Sequence, residues 1–309
     1  MNFFKPKFWD KNQVSFFSII LLPITLLIKL LSFFKYSITK THKCSIPVIC
    51  IGNIYLGGTG KTPLSMDVFS ILKDLNMKPA FIRKKYDSFA DEVNIQRKIG
   101  SVYQNKKRIK AIKDAIQNKA NIVILDDGFQ DYSIDKDLSI VCFNQKQWIG
   151  NGLTIPSGPL REGLGALKRA NCVVINGNKN IQIEREIHNI NKEIKIFYTT
   201  YKIKDIEKLK NKTVTAFAGI GNPENFFTLL KNNNINLNNE IKFPDHYNYS
   251  DKELEDLISE AKKSNTILLT TEKDHCRIKE NYRKNINYLK ILVEMENRDN
   301  FIHEVKKII

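Results

Sequence analysis

The sequence predicts an α/β fold: a doubly wound parallel sheet of the P-loop kind, a second smaller α/β domain after it, and an N-terminal membrane helix ahead of both. Three observations predict it. Residues 46–62 read IPVICIGNIYLGGTGKT, an apolar run of strand length opening into a glycine-rich turn, and PLSMDVFSILKDL follows with apolar residues at helical spacing. Short apolar runs then alternate with helical segments as far as residue 176, the pattern of a parallel sheet covered on both faces. At residue 213 the pattern restarts as TVTAFAGIGNPENFFTLL, a strand, a glycine turn and a helix opened by Pro223. The expected division is 1–44 for the membrane helix, 45–200 for the P-loop core and 201–309 for the smaller domain.

The first element is VSFFSIILLPITLLIKLLSFF, residues 14–34, with one charge, Lys29, and one proline, Pro23. It is long enough to span a bilayer core. No small-x-small cleavage site follows it, and it is too long for the apolar region of a signal peptide. A buried helix is an alternative, but the stretch is apolar almost all round and precedes the first strand. The reading adopted is a membrane helix, spanning the bilayer or lying in its interface with Lys29 snorkelling. Lys5, Lys7 and Lys11 precede it and Lys35, Lys40 and Lys43 follow it, so the charges leave its orientation open.

In the loop that comes next, Gly57, Gly58 and Gly60, with Thr59 between them, let the backbone come close to a ligand. Successive N–H groups can then converge on phosphate oxygens at a helix N-terminus. Lys61 would reach the outer phosphates and the Thr62 hydroxyl would take a place on Mg²⁺. The strict pattern wants a glycine five residues before Gly60, where this chain has Tyr55. A plain strand-to-helix turn is the bland alternative; GGTGKT in this setting favours a nucleotide.

Strand-like runs continue at PAFIR (79–83), NIVILDD (121–127), LSIVCF (138–143) and CVVIN (172–176). Asp126 and Asp127 stand at the C-terminal end of a fully apolar strand, where an open α/β sheet keeps its ligand crevice. A carboxylate there can hold Mg²⁺, or both residues can be turn or N-cap aspartates. A polar stretch at 177–211, with a possible strand KIFYTTY, separates the halves. The asparagine-rich segment 232–239 reads as a loop, and TILLTTEKD (266–274) supplies a further strand.

Composition bounds the rest. The chain has 309 residues, enough for a sizeable core, and its 42% apolar content argues against disorder. The net charge of +16 comes mostly from scattered lysines, with short clusters RKK at 83–85 and KKR at 106–108. No aromatic residues interleave them as a stacking platform would require, so no nucleic-acid partner is expected and most read as a solvated face. Cys44, Cys50, Cys142, Cys172 and Cys276 have no C-x-x-C spacing, and three lie in strand-like runs. Reduced thiols in a cytoplasmic compartment are expected.

In order along the chain, GNIYLGGTGKTPL, LDDGFQD, PSGPLRE (156–162), AFAGIGNPENFF (216–227), FPDHYNYS (243–250) and TTEKD (270–274) follow the hydrophobic N-terminus. The whole set resembles the tetraacyldisaccharide 4'-kinase (lipid A 4'-kinase) family, whose loop also lacks the early glycine. The resemblance implies an ATP- and Mg²⁺-dependent enzyme at the cytoplasmic face of the inner membrane. Its reaction would transfer the γ-phosphate to the 4'-hydroxyl of a tetraacyldisaccharide 1-phosphate, and its partners would be that lipid and the bilayer. It further implies Asp91, in SFADEVN, as the base, matching the family's Gly-Asp-Glu-Pro motif at its two acids only. His246 would pair with Asp91 and tune its basicity while Asp245 steadies the histidine. On sequence alone His246 reads equally as a capped loop histidine. Arg161 and Glu162 would serve the γ-phosphate and the metal, or form an exposed ion pair. The family's Ser-Arg-Gly-Tyr stands here as Arg83, Lys84, Lys85 and Tyr86, which places Lys85 where a left-handed glycine is usual.

Two other classes compete. A membrane-positioning ATPase of the deviant P-loop type would carry a signature lysine early in the loop, where this chain has Tyr55 and Leu56. A non-catalytic nucleotide binder would have lost Lys61, Asp91 or His246, and all three are present.

Overall fold

The computed structural model describes residues 6–10, 13–85 and 90–309; Lys5, Lys11 and Tyr86 lie outside these. Twelve strands occur among the described residues: β1 (Val48–Gly52), β2 (Pro79–Lys84), β3 (Val102–Asn105), β4 (Ile122–Asp126), β5 (Leu138–Asn144), β6 (Cys172–Asn176), β7 (Lys195–Ile203), β8 (Thr213–Ala218), β9 (Asn236–Lys242), β10 (Ile267–Thr271), β11 (Asn287–Leu289) and β12 (Ile291–Met295). The helices are α1 (Phe16–Ile20), α2 (Leu22–Ile38), α3 (Lys61–Asp74), α4 (Ala90–Arg97), α5 (Arg108–Gln117), α6 (Ile181–Ile190), α7 (Pro223–Asn232), α8 (Asp251–Lys263), α9 (Glu272–Arg277), α10 (Glu280–Arg283) and α11 (Arg298–Lys306).

The chain forms two compact units, neither continuous in sequence. One comprises residues 5–85, 100–200 and 293–309; the other takes 86–99 and 201–292. The first differs from the contiguous range 45–200 because the chain leaves it after β2, contributes α4 to the other unit, and returns at Gly100.

In the P-loop unit the strands run β12-β7-β6-β5-β1-β4-β2-β3. β1 is central, parallel to both β4 and β5. That position explains IPVICI: a strand covered on both faces is apolar at every residue. Alternate side chains go to opposite faces. Val48 and Cys50 join Val123 and Leu125 on the face where Ala111, Ile112 and Ala115 of α5 pack. Ile49 and Ile51 join Ile122 and Ile124 opposite, under Leu64, Val68 and Leu72 of α3. The predicted doubly wound arrangement is therefore present.

The second unit carries a four-stranded parallel sheet, β11-β10-β8-β9. Ala216 and Ala218 of β8 pack with Phe226, Phe227 and Leu230 of α7, while Phe217 turns to Leu254 and Leu257 of α8. The asparagine-rich segment read as a loop is in part strand: β9 begins at Asn236 and pairs with β8. As an edge strand it exposes most of its side chains, so it lacks the apolar run that would betray it.

The N-terminal stretch is not one membrane-length helix. Among the described residues no helix is long and apolar enough to cross a membrane. Leu21 closes α1, and Pro23 sits in the first turn of α2, since a proline deeper in a helix would remove a backbone donor and clash with the preceding turn. With 17 residues, α2 extends about 26 Å at 1.5 Å per residue, short of a bilayer core of about 30 Å. Its polarity is inverted. Ser18 and Thr25 are buried while Phe17, Leu27, Leu31 and Phe34 are exposed. Asn151 donates to Ser18 Oγ at 3.1 Å, and Thr25 Oγ1 lies 2.8 Å from Ser157 Oγ.

All five cysteines are free. Burial pushes the thiols of Cys50, Cys142 and Cys172 up to about 12, so they remain protonated packing groups.

Candidate active site

The phosphate loop is built from its backbone outward. Gly57 and Gly60 have φ of +140° and +88°, which side-chain-bearing residues rarely adopt, and Gly60 caps α3 with Lys61 as its first residue. Asn53 organises the turn: its side-chain amide donates to Tyr55 O at 2.6 Å and to Thr59 Oγ1 at 3.0 Å, and its main-chain carbonyl accepts from Gln130 at 2.9 Å. Tyr55, in the place of the missing glycine, is fully buried, and its hydroxyl donates to Asp10. The PSGPLRE segment lies along the loop, with Leu56 N donating to Pro159 O at 2.8 Å and Arg161 N to Ile54 O at 2.6 Å. Thr62 is 5% exposed in the first turn of α3.

That strand-like pairing brings Arg161 to the double aspartate. One Arg161 nitrogen contacts both Asp127 oxygens at 2.9 Å, and Lys61 Nζ lies 3.6 Å from Asp127 Oδ1. Asp127 itself takes a left-handed backbone, φ +55°. Burial raises its carboxyl, but the charges of Lys61, Arg161 and Arg108 outweigh that and hold it at about 2. Asp126, 1% exposed, pairs with Arg83 at 2.5 Å. Arg108 donates to Asp127 O at 2.7 Å and to Asp131 Oδ2 at 2.9 Å. Arg83 and Arg108, members of the clusters read as a solvated basic face, are thus 6% and 7% exposed and brace the aspartate turn. Lys84, Lys85, Lys106 and Lys107 do stay exposed or half-exposed. Lys85 has no left-handed strain, because its amide extends the β2–β3 ladder to Asn105 O at 3.0 Å.

Glu162 accepts from Tyr132 Oη at 2.6 Å and Arg169 at 2.8 Å through Oε2, while Oε1 is buried without a hydrogen-bond partner. Thr62, Asp127 and Glu162 each offer oxygen donors, the chemistry a hard cation takes. Among the described residues no three His, Cys, Asp or Glu side chains gather as a complete metal cage. Such a set fits Mg²⁺, which is commonly held by one or two carboxylates with phosphate and water completing the shell.

The other unit, taken by itself, holds the remaining residues that the motifs imply. Asp91, in the first turn of α4, is 4% exposed. His246 Nδ1 lies 3.5 Å from Asp91 Oδ2. His246 has φ +55°; its amide donates to Asp245 Oδ1 at 3.0 Å and to Gly219 O at 3.1 Å. Asp245 reaches the ring only at 3.9 Å, so it steadies the histidine chiefly through the backbone. The structure thus brings Asp91, His246 and Asp245 together, as the motifs imply. Two partners went unread in the sequence. Arg277 contacts Asp91 Oδ2 through Nε at 2.9 Å and Nη2 at 2.8 Å, and Lys273 pairs with Glu92. Burial pushes the Asp91 carboxyl up, but the His246 hydrogen bond and the charges of Arg277 and Lys273 hold it down at about 2.

Comparison with known proteins places the chain among relatives. The crystal structure of Aquifex aeolicus LpxK in complex with ATP superposes with a TM-score of 0.73 at 26% identity, covering 94% of this chain and 99% of that one. The tetraacyldisaccharide 4'-kinase of Pelagibacter ubique (strain HTCC1062) is 42% identical over 308 residues, 98% of each chain. That of Rickettsia akari (strain Hartford) is 36% identical over 313 residues, 95% of this chain and 94% of the relative. The LpxK family profile, Tetraacyldisaccharide-1-P 4'-kinase, matches residues 17–309, and the chain belongs to that family.

Proposed function

We propose that this protein is the ATP-dependent kinase that phosphorylates the 4'-hydroxyl of tetraacyldisaccharide 1-phosphate, with Asp91 orienting the acceptor hydroxyl and residues 57–62 holding the triphosphate. The observation that carries the residue assignment is Asp91. One of its oxygens, Oδ2, is approached by Arg277 and His246, while the other, Oδ1, is buried with no hydrogen-bond partner among the described residues. A buried orphan acceptor is costly unless a ligand satisfies it. A hydroxyl proton is such a ligand.

A carboxyl held at about 2 is fully ionised at physiological pH and far from the value that favours early proton abstraction. Asp91 therefore acts by accepting a hydrogen bond from the 4'-hydroxyl and receiving the proton late, as suits a loose phosphoryl-transfer transition state. The 4'-oxygen bonds to the γ-phosphorus as the bond to the β–γ bridging oxygen breaks, and ADP leaves. Lys61 and Arg161 neutralise phosphate charge, the turn amides contribute donors, and Thr62, Asp127 and Glu162 would hold Mg²⁺, which adds charge neutralisation. Asp126 is left to Arg83.

The inverted N-terminal helices support membrane docking. We place α1 and α2 in the interface of the inner membrane, on its cytoplasmic face where ATP is available, with their exposed apolar side chains among the acyl chains. A lipid acceptor gives such a helix a purpose.

The test is transfer of labelled γ-phosphate from Mg-ATP to the tetraacyldisaccharide 1-phosphate in detergent micelles, beside Asp91→Ala and Lys61→Ala. The wild type should yield labelled bisphosphorylated lipid. Asp91→Ala should bind ATP normally yet transfer about 100-fold or more slowly, and Lys61→Ala should lose ATP affinity as well. Hydrolysis of ATP with no labelled lipid would reject the reading.

A further inference from the structure

The TTEKD motif at 270–274 identifies the family but has so far been given no task. Its aspartate, Asp274, is fully buried at the start of α9. Its carboxylate accepts from Gly219 N at 3.1 Å, from Thr271 Oγ1 at 2.6 Å and from Tyr249 Oη at 2.9 Å. Its fourth contact is Arg277 Nη1 at 3.0 Å, one helical turn along; that same nitrogen donates to Gly219 O at 2.7 Å. Three donors and the β8 backbone therefore fix the near edge of a guanidinium. Its other edge, Nε and Nη2, closes on Asp91 Oδ2 at 2.9 and 2.8 Å. The Arg277 side chain is 8% exposed, so water does not compete for it.

We propose that Arg277, seated on Asp274, is a positioning residue for the kinase reaction: it locks Oδ2 of Asp91 and so leaves Oδ1 as the oxygen that meets the acceptor hydroxyl. The inference rests on the reading of Asp91 as the hydroxyl-orienting group. A carboxylate whose two oxygens are equivalent can rotate and accept from either lone-pair set. One directed N–H bond from Nε, with Nη2 of the same planar group held 2.8 Å from the same oxygen, removes that freedom in a way a point charge does not. His246 lies 3.5 Å from the same oxygen, so both side chains hold one side of the carboxylate while Oδ1 has no partner among the described residues. The arrangement also accounts for TTEKD: Thr271 and Asp274 build the seat, and Arg277, just beyond the motif, is what they seat.

The experiment is a kinetic cycle on the full-length protein in micelles: wild type, Asp91→Asn, Arg277→Gln, Arg277→Lys, and Asp91→Asn with Arg277→Gln, each with its melting temperature. Arg277→Gln should lower kcat about 100-fold, the loss expected of a misaligned reacting group, with KM for ATP unchanged. Arg277→Lys, which keeps the charge but loses the fork, should melt like the wild type and recover only part of kcat. On the Asp91→Asn background, Arg277→Gln should cost no more than about twofold, since a residue acting through Asp91 has nothing left to position. Full activity in either single Arg277 variant, or an equal loss on both backgrounds, overturns the proposal. Should Arg277→Gln fail to fold, Arg277→Lys decides alone. If Asp91→Asn turns over like the wild type, it is the assignment of Asp91 that fails; if it is slow while Arg277→Gln is not, Asp91 stands and Arg277 falls.

Discussion

Arg83 and Asp126 show how a single pair can change the reading of a site. A carboxylate at the end of a central strand beside a P-loop is the natural metal ligand, yet here it is closed off by a guanidinium at 2.5 Å, both side chains under 10% exposed. Arg83→Ala would leave a buried charge without its arginine, a change that costs about 3–5 kcal/mol in such pairs. The variant should therefore melt well below the wild type, and calorimetry with and without ATP checks it. A melting temperature within a degree or so of the wild type would show that Asp126 does not depend on Arg83. Little of this pairing was legible in the sequence: GGTGKT and the double aspartate each carry a local signature, but Arg83 lay inside a run of basic residues whose other members are exposed. Arg277 was hidden for a related reason, because its partner Asp91 is 186 positions away and no spacing rule links them. The readable residues were those whose chemistry is dictated by their own turn.

The elements were readable where burial was two-sided. β1, β4, β5 and β6 are buried almost throughout and mostly apolar because both faces are covered, and their runs stand out. β3, β9 and β11 lie at sheet edges, are short or polar, and gave no signal. The N-terminal segment misled in the opposite direction, because apolar content alone suits a span, an interfacial helix and a buried helix equally. What distinguishes them is where the few polar residues go: Ser18 and Thr25 are buried while Leu27 and Leu31 are 56% and 60% exposed. If that apolar face inserts into an interface, Leu27→Glu with Leu31→Glu should weaken partition to anionic vesicles about 100-fold or more, since each buried leucine is worth roughly 1.5–3 kcal/mol. The melting temperature in detergent-free buffer should not fall, because neither side chain packs inside the protein. Unchanged vesicle binding in a sedimentation assay would remove α2 from the membrane.

At the scale of the whole molecule, the chain from residue 6 onward crosses between its two units four times, at 85/86, 99/100, 200/201 and 292/293. Contiguous segments are what a sequence displays, so the excursion carrying α4 was not visible as a change of unit. Each unit, taken by itself, holds one strongly acidic carboxylate, Asp127 in one and Asp91 in the other, both held at about 2. A carboxyl whose folded value lies below its unfolded value binds fewer protons in the native state, so its stabilisation is complete above the unfolded value, near 3.8, and disappears as pH falls through the folded one. Asp91, almost fully buried, contributes about 2 kcal/mol on this basis, at about 1.36 kcal/mol per unit. The urea midpoint should therefore be flat between pH 7 and 5 and fall between about pH 4 and 2. Asp91→Asn, which cannot ionise, should flatten that acid limb while leaving the limb due to Asp127 in place. A parallel fall in the variant and the wild type, followed by fluorescence through the acid range, would mean that Asp91 titrates in the folded protein as it does in the unfolded chain. The grip of Arg277 and His246 on Oδ2 would then be too weak to select which oxygen faces the acceptor.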